Sequence, residues 1–164
     1  MVTDLTQGWE FAGTIEDMPL EEAEKLERRP VDVPHDMLIG DADHLYQDMD
    51  GWYFRKITWA DNPEEPVHFL HFDGVYPVCE IYWNGTKIFE HHYGYTAFDV
   101  PLPEEEGGEL AVRVIHRGPN TRWYSGAGIF RRVRLAGYPS AYISPGGVYA
   151  RARLTGRNQG TVRI

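Results

Sequence analysis

Short stretches in which apolar and polar residues alternate recur along most of this chain, and they predict β-strands. Gly8-Trp9-Glu10-Phe11 opens the series as a short first strand. Trp52 to Trp59 sets Tyr53, Arg55, Ile57 and Trp59 on one face, with Phe54, Lys56 and Thr58 on the other. Val67 to Phe72 and Pro77 to Trp83 are apolar and β-rich, and Asp73-Gly74-Val75-Tyr76 separates them. Asn84-Gly85, between Trp83 and Lys87-Ile88-Phe89, is a strong hairpin signal, because both residues reach the positive φ of a tight two-residue turn. His92 to Val100, with Tyr93, Tyr95, Phe98 and Val100 around Gly94, reads as a further strand. After an acidic turn over Pro101 to Gly108 come Leu110 to Ile115 and a last strand through Val133 and Leu135.

One segment keeps a different period. In residues 16–28 the apolar Leu20, Ala23 and Leu26 recur at three-residue spacing, Pro19 suits a first helical turn, and Glu21–Lys25 and Glu24–Arg28 stand at i,i+4. One short surface helix is predicted there, with its acids on a solvated face. Val31 to Asp36 reads as an extended piece, since Pro34 pushes Val33 out of the helical region. About eight or nine short strands, turns at close intervals and almost no helix predict an all-β fold. The expected architecture is an antiparallel jelly-roll β-sandwich over residues 1–138 with that one helix.

The texture changes after Tyr138-Pro139. Ala141 to Pro145 reads as a linker strand leaving the sandwich. Val148 to Leu154 alternates again, and Thr161 to Ile164 begins a further strand. Residues 139–164 are therefore expected to be the start of a second β domain, cut short.

Composition narrows the function. The chain has 164 residues, enough for a core without staples, and a net charge of −9, which argues against nucleic acid and anionic membrane. The single cysteine, Cys79, permits no internal disulfide, and its alternating strand suggests a small buried hydrophobe. The opening residues lack a basic stretch followed by an apolar run, and no window is long and apolar enough to span a bilayer. A cytoplasmic protein is expected, and a secreted one if a leader was removed.

Candidate chemistry concentrates in Arg117 to Val133. A polar turn leads into Arg122-Trp123-Tyr124, and Ser125-Gly126-Ala127-Gly128 follows. Aromatic faces cover the C–H surfaces of a sugar while Asn120 and Arg122 donate to hydroxyls, so Asn120, Arg122, Trp123 and Tyr124 are candidate carbohydrate ligands. The same aromatics also fit a plug at one end of the sandwich. Asp41, Asp43, Asp48 and Asp50 lie close together, but their spacing is not that of a calcium loop, so a solvated loop is expected. His35-Asp36 reads as a proline turn whose carboxylate caps backbone donors, with a pocket role as the alternative.

Five blocks taken in order, VDVPHD (31–36), GWYFRK (51–56), HFDGVYPVCEIYWNG (71–85), HHYGYTAFDV (91–100) and NTRWYSGAGIFRRVRL (120–135), resemble the amino-terminal sugar-binding domain of glycoside hydrolase family 2, of the β-galactosidase type. The resemblance covers about residues 8–138. It implies a jelly roll followed by an immunoglobulin-like domain, entered at residues 139–164, and then a TIM barrel that carries the two catalytic glutamates. No catalytic residue, cofactor or metal is therefore expected in this chain, which should be inert alone. The implied partners are carbohydrate and the two further domains, and homo-oligomerisation stays open. Asn120, Arg122, Trp123, Tyr124, His35 and Asp36 become the implied substrate-facing residues. Two departures matter. Arg122 stands where some of these enzymes place a carboxylate that touches sugar and a cation, so that contact does not carry over. Met37 stands where a tryptophan often follows the aspartate. A free-standing carbohydrate-binding module and a purely structural domain remain alternatives.

Overall fold

The computed structural model describes residues 1–14, 17–40, 43, 45–104, 106–118 and 126–164. The strands are β1 (Val2–Asp4), β2 (Trp9–Thr14), β3 (Arg29–Val31), β4 (Met49–Thr58), β5 (Val67–Phe72), β6 (Val78–Trp83), β7 (Thr86–His91), β8 (Phe98–Pro101), β9 (Gly107–His116), β10 (Val133–Tyr138), β11 (Arg151–Gly156) and β12 (Gln159–Arg163), with the helix α1 (Leu20–Ala23) between β2 and β3. Every pairing between them is antiparallel. A six-stranded sheet runs β3-β2-β4-β9-β6-β7, and a four-stranded sheet runs β1-β10-β5-β8. Together they form the expected antiparallel sandwich of jelly-roll type.

The alternation seen in the sequence decides which side chains meet. Trp9, Phe11, Tyr53, Ile57, Cys79, Ile81, Trp83, Leu110, Val112 and Val114 from the larger sheet pack against Leu70, Phe72, Phe98, Val100, Val133 and Leu135 from the smaller one. Phe72, Phe98 and Phe89 stack in sequence with centroids 5.0 and 5.5 Å apart. At β4 the opposite face is also buried. Trp52 and Phe54 lie under Leu20 and Ala23 of α1, with Ala111 beside them. This explains why the outer face of a strand carries two large aromatics: the helix is its lid.

That helix is shorter than the spacing predicts, one turn where residues 16–28 were expected, followed by a bend to residue 26. A single turn has little stability of its own, so packing on the sheet sets its length. Neither expected i,i+4 ion pair is present. Arg28 instead lies over the Phe54 ring at 3.7 Å and donates to the Glu24 carbonyl and to Glu10. Three strand expectations also change. Residues 92–97 form a turn, so β8 begins at Phe98, because Gly94 sits against Tyr76 where any Cβ would collide. Of the extended piece at 31–36 only Val31 is in a strand, and a cis Val33-Pro34 bond follows it. The linker strand expected at 141–145 is a bend and turn. The Asn84-Gly85 hairpin forms as expected, with φ of 47° and 81°.

Beyond the sandwich, β11 and β12 make a separate two-stranded ribbon whose residues are all exposed.

Candidate functional site

The strand directions gather four connections at one end of the sandwich: residues 32–48, 73–77, 92–97 and 117–132. These precede β4, β6, β8 and β10. The last of them is the segment singled out in the sequence. Asn120, Arg122, Trp123 and Tyr124 lie outside the described residues. The anchors on either side of them are described, and they are tightly made.

On the incoming side, the end of β9 is tied to the segment before β4. His116 Nδ1 meets the Gln47 carbonyl at 2.8 Å, the Gly118 amide donates to Asp48 Oδ1 at 2.6 Å, and Arg117 donates to Asp50 Oδ1 at 2.6 Å. Asp50 is fully buried, and its second oxygen accepts from Arg113 Nη2 at 2.5 Å. Arg113 reaches Glu80 and Asp17 as well. The expected solvated acidic loop is corrected at Asp50, which β4 buries beside Arg113 and Arg117 as a structural acceptor; Asp43 and Asp48 are exposed as expected, and Asp48 also accepts from the Gly118 amide. Among the described residues no group of three or more His, Cys, Asp or Glu is arranged to hold a metal ion.

On the outgoing side, Ala127 to Ile129 are held like a strand between two turns. The Met37 amide donates to the Ala127 carbonyl, and the His35 amide to Ile129, each at 2.8 Å. Gly128 exchanges two hydrogen bonds with Tyr76, at 2.9 and 3.0 Å. Its φ is +138°, and a Cβ there would lie 2.3 Å from the His35 carbonyl oxygen. Only glycine fits, which accounts for part of the small-residue run noted in the sequence.

His35 and Asp36 both belong to this end. Asp36 Oδ1 accepts from the amides of Leu38 and Ile39 at 2.9 and 3.1 Å, and from Ala127 at 3.4 Å, so the carboxylate does cap backbone donors. His35 Nδ1 lies 2.8 Å from Tyr53 Oη, and its Nε2 lies 3.4 Å from Arg29 Nη2. A guanidinium only donates, so the tautomer that satisfies both contacts carries its proton on Nδ1. Burial holds the His35 pKa below the ordinary histidine value, and the Arg29 charge adds to the effect against Asp36. Burial likewise pushes the Tyr53 hydroxyl well above the usual phenol range.

Asp36, Tyr76, Tyr95, Ala127 and Phe130 line a cleft of 100 Å³ at the surface of this end. Tyr95 is its hub, with ring centroids 5.3 Å from Tyr76, 6.1 Å from Phe130 and 5.9 Å from Tyr93. Tyr93 and Tyr95 are exposed. Arg131 fixes the rim by donating to the carbonyls of Asp73 and Tyr95. Tyr76, Tyr95 and Phe130 were not among the sequence candidates. Their signal was an aromatic within two residues of a glycine or proline in three separate turns, and its meaning depends on a topology that brings those turns together.

A larger cleft of 460 Å³ lies beside α1 on the outer face of the six-stranded sheet. Glu10, Glu24 and Glu109 oppose Arg28, Arg55 and Lys56 around a floor of Phe54 and Ala111, so it offers no convergent polar set. Cys79 is fully buried, and burial pushes its thiol up to about 12, which makes it a core residue as expected.

Fold and site together define a β-sandwich with aromatic and carboxylate-bearing turns gathered at one end. No protein-family model matches the chain. A β-galactosidase of Bacteroides ovatus is 31% identical over 153 residues, which cover 83% of this chain and 18% of that enzyme. The structure of a glycosyl hydrolase family 2 member from Bacteroides cellulosilyticus superposes with a TM-score of 0.76 at 25% identity, covering 93% of this chain and 23% of the other. A β-glucuronidase of Bacteroides uniformis shares the fold, with a TM-score of 0.78 at 21% identity over 99% of this chain and 21% of its own. The chain matches an amino-terminal domain of glycoside hydrolase family 2 enzymes, and it spans about a fifth of the length of the curated relatives it matches.

Proposed function

We propose that this chain is the non-catalytic amino-terminal sandwich of a β-galactosidase- or β-glucuronidase-type hydrolase of O-glycosyl bonds. Its clustered turns form one wall of the mouth of a catalytic domain. The observation that carries this reading is the joint one: a sequence match to such enzymes, and a single end of the sandwich that collects Asp36, Tyr76, Tyr95 and Phe130 beside the anchors of residues 119–125. Residues 139–164 begin an immunoglobulin-like domain, and a TIM barrel supplies the paired carboxylates that a retaining glycosidase needs about 5–5.5 Å apart. The sugar partner is a β-galactoside or a related glycoside. Asn120, Arg122, Trp123, Tyr124, His35 and Asp36 are its proposed binding residues.

The test compares the isolated chain with the complete enzyme. The 164-residue chain should not turn over a chromogenic β-galactoside or β-glucuronide above a denatured control. In the complete enzyme, Tyr95→Ala should lower kcat/KM by roughly tenfold, about 1.4 kcal/mol of transition-state stabilisation, with thermal stability nearly unchanged. Turnover by the isolated chain, or a complete enzyme indifferent to Tyr95, refutes the reading.

A further inference from the structure

The charges of this chain are unevenly placed. Its last acidic side chain is Glu109, and residues 139–164 hold four arginines and no acid. Within the sandwich the described arginines that follow Glu109 find acceptors. Arg113 and Arg117 pair with Asp50, Arg132 and Arg134 with Asp73, and Arg131 with two carbonyls. In the ribbon they do not. Arg151, Arg153 and Arg163 share one face with Thr155 and Thr161 around a cleft of 240 Å³, and among the described residues none of the three arginines has an ion pair.

The register sharpens the point. Arg151 stands directly opposite Arg163, and Arg153 opposite Thr161. Like charges directly across an antiparallel pair repel and weaken it. Ala152 and Val162 pair on the opposite face, which also carries Leu154. Period-two alternation therefore leaves the arginines on the far side of whatever covers the apolar residues. Three guanidinium forks and two hydroxyls then converge on one concave patch with no counter-charge among the described residues. Guanidinium forks match carboxylate and sulfate oxygens bidentately, and threonine hydroxyls suit the neighbouring hydroxyls of a sugar ring.

We propose that this face of the ribbon is a binding site for the anionic groups, carboxylate or sulfate, of an acidic oligosaccharide. It is separate from the clustered turns, and it rests on the reading that the chain serves a carbohydrate hydrolase. The concave, ring-sized patch and its hydroxyls favour a sugar over the flat acidic surface of a protein.

The experiment titrates the chain at low ionic strength with four probes while backbone amide resonances are followed: oligogalacturonate, a sulfated oligosaccharide, a neutral galacto-oligosaccharide and poly-glutamate. The two acidic sugars distinguish the two sources of charge. At least one should shift the amides of residues 151–163 and bind roughly tenfold or more tighter than the neutral sugar, weakening as salt is raised. R151Q/R163Q should lower that affinity by roughly tenfold or more. R153Q alone, which leaves the Arg151–Arg163 pair untouched, should lower it severalfold with the cross-strand contacts of the ribbon retained. No binding by either acidic sugar overturns the proposal, as does binding indifferent to these variants. Poly-glutamate binding as tightly as the sugars overturns it in favour of an acidic protein partner. The assay reads neither turnover nor Tyr95, so its failure leaves the hydrolase reading standing, and the two failures are told apart.

Discussion

His35 Nδ1 and Tyr53 Oη lie 2.8 Å apart, and this contact ties the turn before β4 to the middle of the six-stranded sheet. Tyr53 is fully buried and His35 is half-buried. Their rings also meet edge-on with centroids 5.5 Å apart, and Phe11 lies 4.9 Å from each. The pair is where the core of the sandwich reaches the end that gathers the four turns. Tyr53→Phe keeps the packing and removes the hydroxyl, so His35 Nδ1 loses its acceptor while Nε2 keeps Arg29. It should cost about 0.5–1.5 kcal/mol, the net range for one hydrogen bond, since half-buried His35 keeps some access to water. Urea unfolding monitored by tryptophan fluorescence measures it, and an unchanged midpoint would show that the contact contributes nothing.

Gly128 and Gly85 both have positive φ but differ in surroundings. At Gly85 a Cβ would meet nothing within 4 Å, so Gly85→Ala should cost only the backbone preference, about 1–2 kcal/mol. At Gly128 it would strike the His35 carbonyl at 2.3 Å and Tyr53 Oη at 2.7 Å. Gly128→Ala should cost more than about 3 kcal/mol, since it adds a steric clash at two core contacts to a strained backbone. Thermal midpoints of the two variants side by side give the comparison, and equal losses would contradict the geometry.

Asp50 carries the polar network of the outer sheet face. Removing one partner of a buried ion pair leaves a charge without compensation, at about 3–5 kcal/mol. Asp50→Ala should therefore be among the most damaging polar substitutions, since Arg113 and Arg117 both lose their acceptor. Asp17→Ala, whose carboxylate is mostly exposed, should cost at most about 1 kcal/mol. Chemical denaturation of the two variants decides between them.

Acidification should destabilise the fold well above the carboxylate range. Burial lowers the pKa of both His35 and His68 in the folded chain; Arg29 adds to this at His35, while nearby Glu65 opposes it at His68. Their neutral forms are favoured by folding. As pH falls through the unfolded value of about 6.5, the unfolded chain takes up protons that the folded chain refuses, and stability drops. Unfolding midpoints taken between about pH 7.5 and 5.5 should decline. Histidine proton shifts should place both midpoints below the ordinary value, and a midpoint above it at either site would reverse the sign.

The strands were legible in the sequence because their alternation is a local signal. Asn84-Gly85 is the clearest instance, and the inner and outer faces of β4 follow from period two. What local pattern could not show was set by tertiary contact. The buried outer pair Trp52 and Phe54 requires knowing that α1 folds back over it, and the length of α1 follows from that same packing. Residues 92–97 have the composition of a strand, but Gly94 must pass close to Tyr76, and pairing is lost there. The sequence named His35 and Asp36 as candidates, and both lie at the end where the four turns gather. It could not assemble Tyr76, Tyr95 and Phe130, which lie far apart along the chain and meet only through the order of strands in two sheets. Asp50 looked like surface charge for the same reason, since its arginine partners lie 63 and 67 positions away.

The burial of Cys79 has a practical consequence for following this molecule. It is the only thiol in the chain, it has no solvent exposure, and it is held in the protonated form. Alkylating dyes react with exposed thiolate, so the native protein is silent toward them. A cysteine placed at Tyr95 or Thr155 would be the one reactive handle in the molecule. A fluorophore there would report on the clustered turns or on the ribbon separately, with no need to replace the native residue first.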